Sequence, residues 1–236
     1  MILIRAFKAI SDTDACMKFA EGHLQVLQEF DIQKISPMNL EWIKDPLSYV
    51  ITAESTQTGK MLAGAQLQLG GGRRPLPIEH AIKEIDERVH EAIRDYGIDT
   101  TGELYGQWNA REINGLGIGN YYLTLAALAI APQINLRTMF ALCSPSTVEH
   151  YTKFGFRITY FLGNNGTFFY PKKDLTAIGM VLADCETMLS AAAPELEIVS
   201  SLRANPIQTR VIESRKSPFE IEFNLEIKAS FPKLVF

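Results

Sequence analysis

The order of apolar and polar positions cuts this chain into short elements of two kinds. Ile2 to Phe7 is a short apolar run that predicts a strand, and Ser11 to Asp14 offers caps for a helix reaching about Phe30. Tyr49 to Glu54 and Met61 to Leu69 predict two more strands, joined as a hairpin by the turn Thr56-Gln57-Thr58-Gly59. Gly70, Gly71, Gly72, Arg73, Arg74, Pro75 and Pro77 then form a breaker-rich loop. Ile78, Ile82, Ile85, Val89 and Ala92 follow at helical spacing with charged residues between them, which predicts one amphipathic helix of about four turns. Its apolar stripe must pack on something.

Glu103 to Ala110 predicts a strand, a glycine-rich turn follows, and Ile118 to Ile130 is rich in Leu and Ala, as a buried helix is, until Pro132 interrupts it. Thr138 to Cys143 predicts a strand, Pro145 to Phe154 a short helix, and Phe156 to Leu162 a strand that runs into the hairpin dipeptide Asn165-Gly166. Thr167 to Tyr170 is the return strand and Thr176 to Leu182 one more. Beyond Asp184 the pattern changes to a helix around Glu195 to Arg203, a strand Gln208 to Glu213 and the turn Arg215-Lys216-Ser217-Pro218. In Phe219 to Lys228, Phe219, Ile221, Phe223, Leu225 and Ile227 alternate with polar residues, the pattern of a strand with one buried and one wet face. The expected organisation is a mixed α/β domain over residues 1–183, with an extension over 184–236, a helix and a β-hairpin, packed on the same domain at a sheet edge.

Composition changes this picture only by exclusion. The chain has 236 residues, of which 47% are apolar and 21% charged, enough for a packed core and too apolar for disorder. A net charge of −4 excludes general attraction to nucleic acid or to acidic membranes. Cys16, Cys143 and Cys185 lack any C-x-x-C spacing, so neither a disulfide framework nor a metal site is expected, and the reading is a reducing, cytoplasmic one. No apolar run approaches the roughly 18 residues of a membrane span. His23, His80, His90 and His150 stand singly and are assigned no role.

Two segments carry candidate chemistry. Strict alternation along 103–110 puts Glu103, Tyr105, Gln107 and Asn109 on one face and Leu104, Gly106, Trp108 and Ala110 on the other. Burying four polar side chains without partners is costly, so that face is expected to line a cleft, with Glu103 as a general base acting directly or through water. The alternative for Glu103 is a solvated strand end. Asn114-Gly115-Leu116-Gly117-Ile118-Gly119 sits between strand and helix, where small residues let a ligand approach and helix-terminal amides favour a phosphate. A Walker A loop is excluded because Asn120-Tyr121 supplies no Gly-Lys-Ser/Thr ending. A dinucleotide fingerprint is excluded by the G-x-G-x-G spacing and the missing acidic residue after Thr138 to Cys143.

The glycine turn resembles the Gln/Arg-x-x-Gly-x-Gly/Ala motif of the GNAT superfamily of acyl-CoA-dependent N-acyltransferases. Tyr151-Thr152-Lys153-Phe154-Gly155-Phe156 is similar to that superfamily's Tyr-x-x-x-Gly-Phe, and the two motifs occur in the family's order. The resemblance is strongest over 103–160, and the element order to about 183 is compatible with it. It implies a central mixed, mostly antiparallel sheet flanked by helices, and direct transfer of an acetyl or longer acyl group from coenzyme A to an amine, with no metal. It further implies that Gly115, Leu116, Gly117, Ile118, Gly119 and Asn120 hold the pyrophosphate, and that Gln107, Trp108 and Asn109 line the pantetheine arm. Tyr151 would protonate the leaving thiolate. Asn114 replaces the family's Gln or Arg, which weakens one phosphate contact, and Ser144 stands where the family often has an asparagine facing pantetheine.

Two rivals remain at this point. Related families, the N-acyl amino acid and acyl-homoserine lactone synthases, take acyl groups from acyl carrier protein, which a basic patch near Arg73 and Arg74 and a wide apolar tunnel would favour. A non-catalytic module of the same fold would instead use strand 219–227 for dimerisation or partner binding. Arg73 and Arg74 also stand as a clamp for a carboxylate or for the ribose phosphate of coenzyme A. Acceptor loops are expected around 22–47 and 70–102, and no residue there selects one amine.

Overall fold

A computed structural model describes residues 1–29, 40–214 and 217–228. Strands β1 (Ile2–Lys8), β2 (Ser48–Ser55) and β3 (Met61–Leu69) form an antiparallel group. Helix α1 (Thr13–Glu29) starts where the Asp12 carboxylate accepts the Ala15 amide at 3.0 Å. The expected helix end at Phe30, much of the 22–47 loop and part of the turn at Arg215 lie outside the described residues.

Among the described residues ten strands make one sheet in the order β6, β8, β5, β4, β3, β2, β1, β10, β9, with β7 sharing an edge of β8. The further strands are β4 (Thr101–Asn109), β5 (Thr138–Cys143), β6 (Arg157–Ile158), β7 (Thr167–Phe169), β8 (Thr176–Leu182), β9 (Ile207–Ile212) and β10 (Phe219–Asn224). Among the described residues only the β4–β5 and β1–β10 pairs are parallel. The sheet is therefore mixed and mostly antiparallel, as expected. Helix α4 (Leu123–Ile130) is buried along its whole length against one face. α1 covers part of the other face through Phe19, Trp42, Val50 and Trp108. α2 (Pro77–Ile82) and α3 (Arg88–Asp95) cover the rest through Ile78, Ile82, Val89 and Phe140.

Three expectations need correction. The helix read as continuous from Ile78 to Ala92 is two short helices, because the Asp86 carboxylate accepts the Arg88 amide at 3.1 Å and the Gly163 amide at 2.7 Å, forming a turn that cannot continue α2. Ile85, counted in the apolar stripe, sits on that turn at 52% exposure. The strand expected over Phe156 to Leu162 is only β6, since the Leu162 amide turns back to the Thr159 carbonyl at 2.9 Å. Asn165 and Gly166 do turn, at φ 51° and 82°, but they deliver the chain along β8 and leave a single bridge, Asn164 to Thr167.

The C-terminal segment is built into the sheet. Ile221 and Phe223 are fully buried on β10, which lies parallel to β1 with Ile2 opposite Ile221. Helix α6 (Ala193–Ala204) packs on α4, and Arg203 closes the end of α4 by donating to the Leu128 carbonyl at 3.0 Å. Phe223→Ala is expected to lower unfolding stability by about 3–5 kcal/mol, the range for truncating a buried aromatic. In urea titrations followed by fluorescence and circular dichroism, the variant should still unfold in a single transition. A separate early transition would show that the extension is an independent unit.

Candidate functional site

β4 is the strand on which the site is built. It pairs with β5 only from Thr101 to Leu104, and the ladder ends at Leu104 opposite Ala141. On its other side, Gln66 lies opposite Tyr105 and Gly64 opposite Trp108, so three steps of β4 match two of β3. The extra residue is a β-bulge at Gly106, whose φ of 60° is the left-handed region that glycine adopts without strain.

The bulge corrects the expected alternation. Glu103, Tyr105 and Trp108 face the α1 and α2 side, whereas Gln107 and Asn109 turn to the side of α4. The Trp108 indole lies against Phe19 with ring centroids 6.1 Å apart, and a side chain on Gly22 would collide with it. Its ring belongs to the α1 core, so of Trp108 only the main chain is left to line the expected pantetheine arm.

On the α4 side a chain of hydrogen bonds joins three elements. The Tyr151 hydroxyl, on α5 (Val148–Lys153), donates to Gln107 Oε1 at 2.5 Å. Gln107 Nε2 donates to Thr124 Oγ1 at 3.1 Å, and that hydroxyl donates to the Asn120 carbonyl at 2.7 Å. Tyr151 is 2% exposed, and burial holds its phenol protonated well above the ordinary tyrosine range. Ser144 bonds to Ser146 Oγ at 2.8 Å at the start of the turn leading into α5.

The glycine turn departs from an ordinary helix start. Gly115 and Gly117 have φ of 83° and 74°, and Ile118–Tyr122 form a π-helical turn before α4. The first helical bonds run from the Tyr121 and Tyr122 amides to the Gly117 carbonyl, at 2.8 and 3.1 Å. The amides of Ile118, Gly119 and Asn120 precede them and have no helical carbonyl behind them to bond. The Leu116 amide is already engaged by the Ile113 carbonyl at 3.2 Å, which removes it from the expected anion cradle. A Cβ on Gly119 would meet Asn109 Cβ at 2.5 Å, so this glycine lets the turn close on β4. Asn114 accepts from Asn109 Nδ2 at 2.5 Å, and Ile118 is a core residue.

The opposite side of β4 is polar and dry. Glu103 is 1% exposed and accepts the Ile78 amide at 2.5 Å, so it is no solvated strand end. Burial, with Glu79 nearby, raises its carboxyl to about 8. Beside it stand Tyr105, whose phenol burial also raises, and the buried Gln66 and Gln68 of β3. Gln68 Nε2 donates to Asp45 at 3.2 Å. His23, on α1 near Gly106, is pushed down to about 4 by burial and is a neutral imidazole. Gln66, Gln68, Thr124 and His23 had no part in the site read from the sequence. Two glutamines on the core strand Met61–Leu69 and a glycine inside β4 were the available signals. Burial pushes the Cys143 thiol up to about 11, which suits an inert core residue. Among the described residues no group of three His, Cys, Asp or Glu side chains comes together to hold a metal.

No protein-family model matches this sequence, and no curated protein matches it. Solved structures do match in fold. FeeM, an N-acyl amino acid synthase from uncultured soil microbes, superposes with a TM-score of 0.60 at 14% identity, over 83% of this chain and 97% of its own. BjaI, a CoA-dependent acyl-homoserine lactone synthase, gives 0.58 at 12% identity, over 87% and 91%. An acyl-CoA N-acyltransferase from Pseudomonas aeruginosa gives 0.50 at 12% identity, over 77% and 99%. The chain has the GNAT fold. Within that GNAT fold, the β4–β5 divergence and the Gly106 bulge come just before the glycine turn in sequence, and Gln107, next to the bulge, bonds to Tyr151 of the second motif.

The burial of Glu103 makes a testable statement about stability. Folded Glu103 keeps its proton to about pH 8, whereas the ordinary carboxyl of the unfolded chain releases it near 4.5. Its stabilising contribution is complete below about 4.5 and is lost as pH rises through about 8. Glu103→Gln has no such titration, so its melting temperature relative to the native protein should climb between about pH 5 and 8 and level off above that. A difference that stays flat over that range would show a carboxylate ionising normally.

Proposed function

We propose that this protein is an N-acyltransferase that moves an acyl group from an acyl-CoA thioester to the amine of a small molecule. The observation that carries the reading is the divergence of β4 from β5 at Leu104, followed at once by a bulge, with a protonated Tyr151 on one side and a carboxyl of raised pKa on the other. A thioester arm entering this opening finds the unpaired edge of Gln107 to Asn109 to lie along, as an added strand would. Its diphosphate meets the amides of Ile118, Gly119 and Asn120, where a helix start favours an anion.

The chemistry then needs two proton movements. The amine attacks the thioester carbonyl, the C–N bond forms, and the amine proton passes, directly or through water, to the ionised form of Glu103, which returns it to solvent. The C–S bond breaks and the departing sulfur takes a proton from Tyr151, which recovers one from solvent. A main-chain amide freed by the bulge at Gly106 is placed to bond the carbonyl oxygen as negative charge builds on it. A carboxyl near 8 is poised to take up and release a proton at neutral pH. Three unpaired cysteines fit a cytoplasmic setting.

Free acyl-CoA is favoured over acyl carrier protein as donor. A carrier protein needs a surface of several cations, and of the two arginines expected to provide it Arg74 is turned inward beside Tyr105, leaving Arg73 exposed. Calorimetry with acetyl-, butyryl- and decanoyl-CoA should show submillimolar binding of at least one, abolished in Gly117→Val. Tyr151→Phe should lower kcat by about 10²–10⁴-fold, the usual worth of a general acid, while acyl-CoA affinity is unchanged. No binding of any of the three at millimolar concentration would overturn the reading.

A further inference from the structure

Arg74 has a buried nitrogen, Nη1, with no hydrogen-bond partner. A guanidinium N–H that is dry and unpaired is far less favourable than a paired one, so such an atom calls for an explanation. The carboxylates in its neighbourhood do not supply it. Asp45 is taken by the Leu47 amide at 2.9 Å and by Gln68 at 3.2 Å, and Glu103 accepts the Ile78 amide at 2.5 Å. Arg74 instead stands within electrostatic reach of the Tyr105 hydroxyl, which stays protonated and is a second donor. Arg74 Nη1 and the Tyr105 hydroxyl are thus two donors in one neighbourhood, and the carboxyls that also act on Tyr105, those of Asp45 and Glu103, are bonded to other groups.

The position excludes one of the two ligands that the sequence left open for this arginine. Tyr105 lies on the opposite face of β4 from Gln107 and Asn109, so Arg74 is on the acceptor side and not beside the glycine turn where a ribose phosphate would sit. Glu103 lies two residues before Tyr105 on the same face, about 6.6 Å along the strand. A molecule with an amine and a carboxylate on one carbon spans that interval when each group makes a hydrogen bond of about 2.8 Å.

We propose that the acceptor is an α-amino acid, its carboxylate held by Arg74 and the Tyr105 hydroxyl and its amine directed to Glu103. The assignment rests on the acyl-transfer reading and narrows its acceptor. The planar guanidinium fork matches a carboxylate with two parallel N–H bonds, which a lysine cannot reproduce.

Calorimetry on the whole protein saturated with CoA tests this without relying on turnover. L-leucine, L-phenylalanine and L-tyrosine are titrated beside isopentylamine, phenethylamine and tyramine, the same molecules without the carboxylate. The native protein should bind each amino acid about 30-fold or more tightly than its amine, as expected for a charge-assisted pair. Arg74→Met should erase that ratio and leave amine affinity unchanged, while Arg74→Lys restores part of it. Ligand-free Arg74→Met should melt no lower than the native protein, because it removes an unpaired buried nitrogen. Equal binding of acids and amines, no binding of either, equal loss of both in Arg74→Met, or a melting temperature well below native would each overturn the assignment. Discrimination without acyl transfer would leave this site standing and remove the acyltransferase reading; transfer to amines without discrimination would do the reverse.

Discussion

β4 has to satisfy two neighbours that ask different things of it. β3 runs antiparallel along its whole length, while β5 runs parallel and pairs for only four residues before the strands part. A strand that loses one partner midway has main-chain groups to satisfy from the point of departure onward, and an insertion on the other side changes where they point. Gly106 supplies that insertion two residues after the ladder with β5 ends. Every side chain downstream is thereby reversed in face, so that Gln107 joins α4 and α5 and Trp108 joins α1. With regular pleating Trp108 would stand in the opening and Gln107 in the α1 core, and neither the tyrosine network nor the indole packing would exist.

The same physical cause, removal from water, raises the titration of an acid on each side of β4, with different consequences. On the α5 side it holds a phenol protonated, and Gln107 gives that proton a direction. On the α2 side it brings a carboxyl up toward neutrality, while the Ile78 amide bonds one oxygen and limits the rise. A glutamate wholly without partners would be a poor base because it would scarcely ionise. One bonded to a single amide, with Glu79 as a neighbouring negative charge, sits between these limits. His23 is on the same side but is driven the other way and stays uncharged, so Gln66, Gln68, Tyr105 and His23 add dipoles there, beside the charges of Arg74 and Asp45.

Much of this was legible in the sequence, and what was not shares a physical reason. Local patterns gave the β2–β3 hairpin, the buried α4, the half-buried alternation of β10 in a hairpin that extends the sheet beyond β1, and the two motifs of the GNAT resemblance, because burial period and turn chemistry are written residue by residue. A bulge is not written that way: one inserted residue leaves the composition of β4 unchanged while inverting its second half, and only Gly106 hints at it. The break at Asp86 was hidden for a similar reason, since the acceptor of the Gly163 amide is distant in sequence. The engaged Leu116 amide depends on a single turn of chain ahead of the glycines, which spacing alone does not reveal. Arg74 was visible as a clamp but not its face, which follows from where α2 docks.

The glycine turn owes its shape to segments far along the chain. A π-turn is wider and less favourable than an α-turn, so Ile118–Tyr122 needs support from outside itself. Tyr121 stacks on Phe154 and Tyr122 with ring centroids 5.2 Å from each, which ties the turn to the end of α5 just before Gly155-Phe156. Its hydroxyl donates to Glu195 at 3.3 Å, in the first turn of α6, where a carboxylate also complements the helix dipole. The two motifs that are apart in sequence therefore meet through an aromatic pair, and the C-terminal extension braces that pair from behind. The amides of Ile118, Gly119 and Asn120, which have no helical carbonyl behind them, and the Thr124 link to Tyr151 are two ends of one braced element, so the proposed anion site and the proposed proton donor are fixed together.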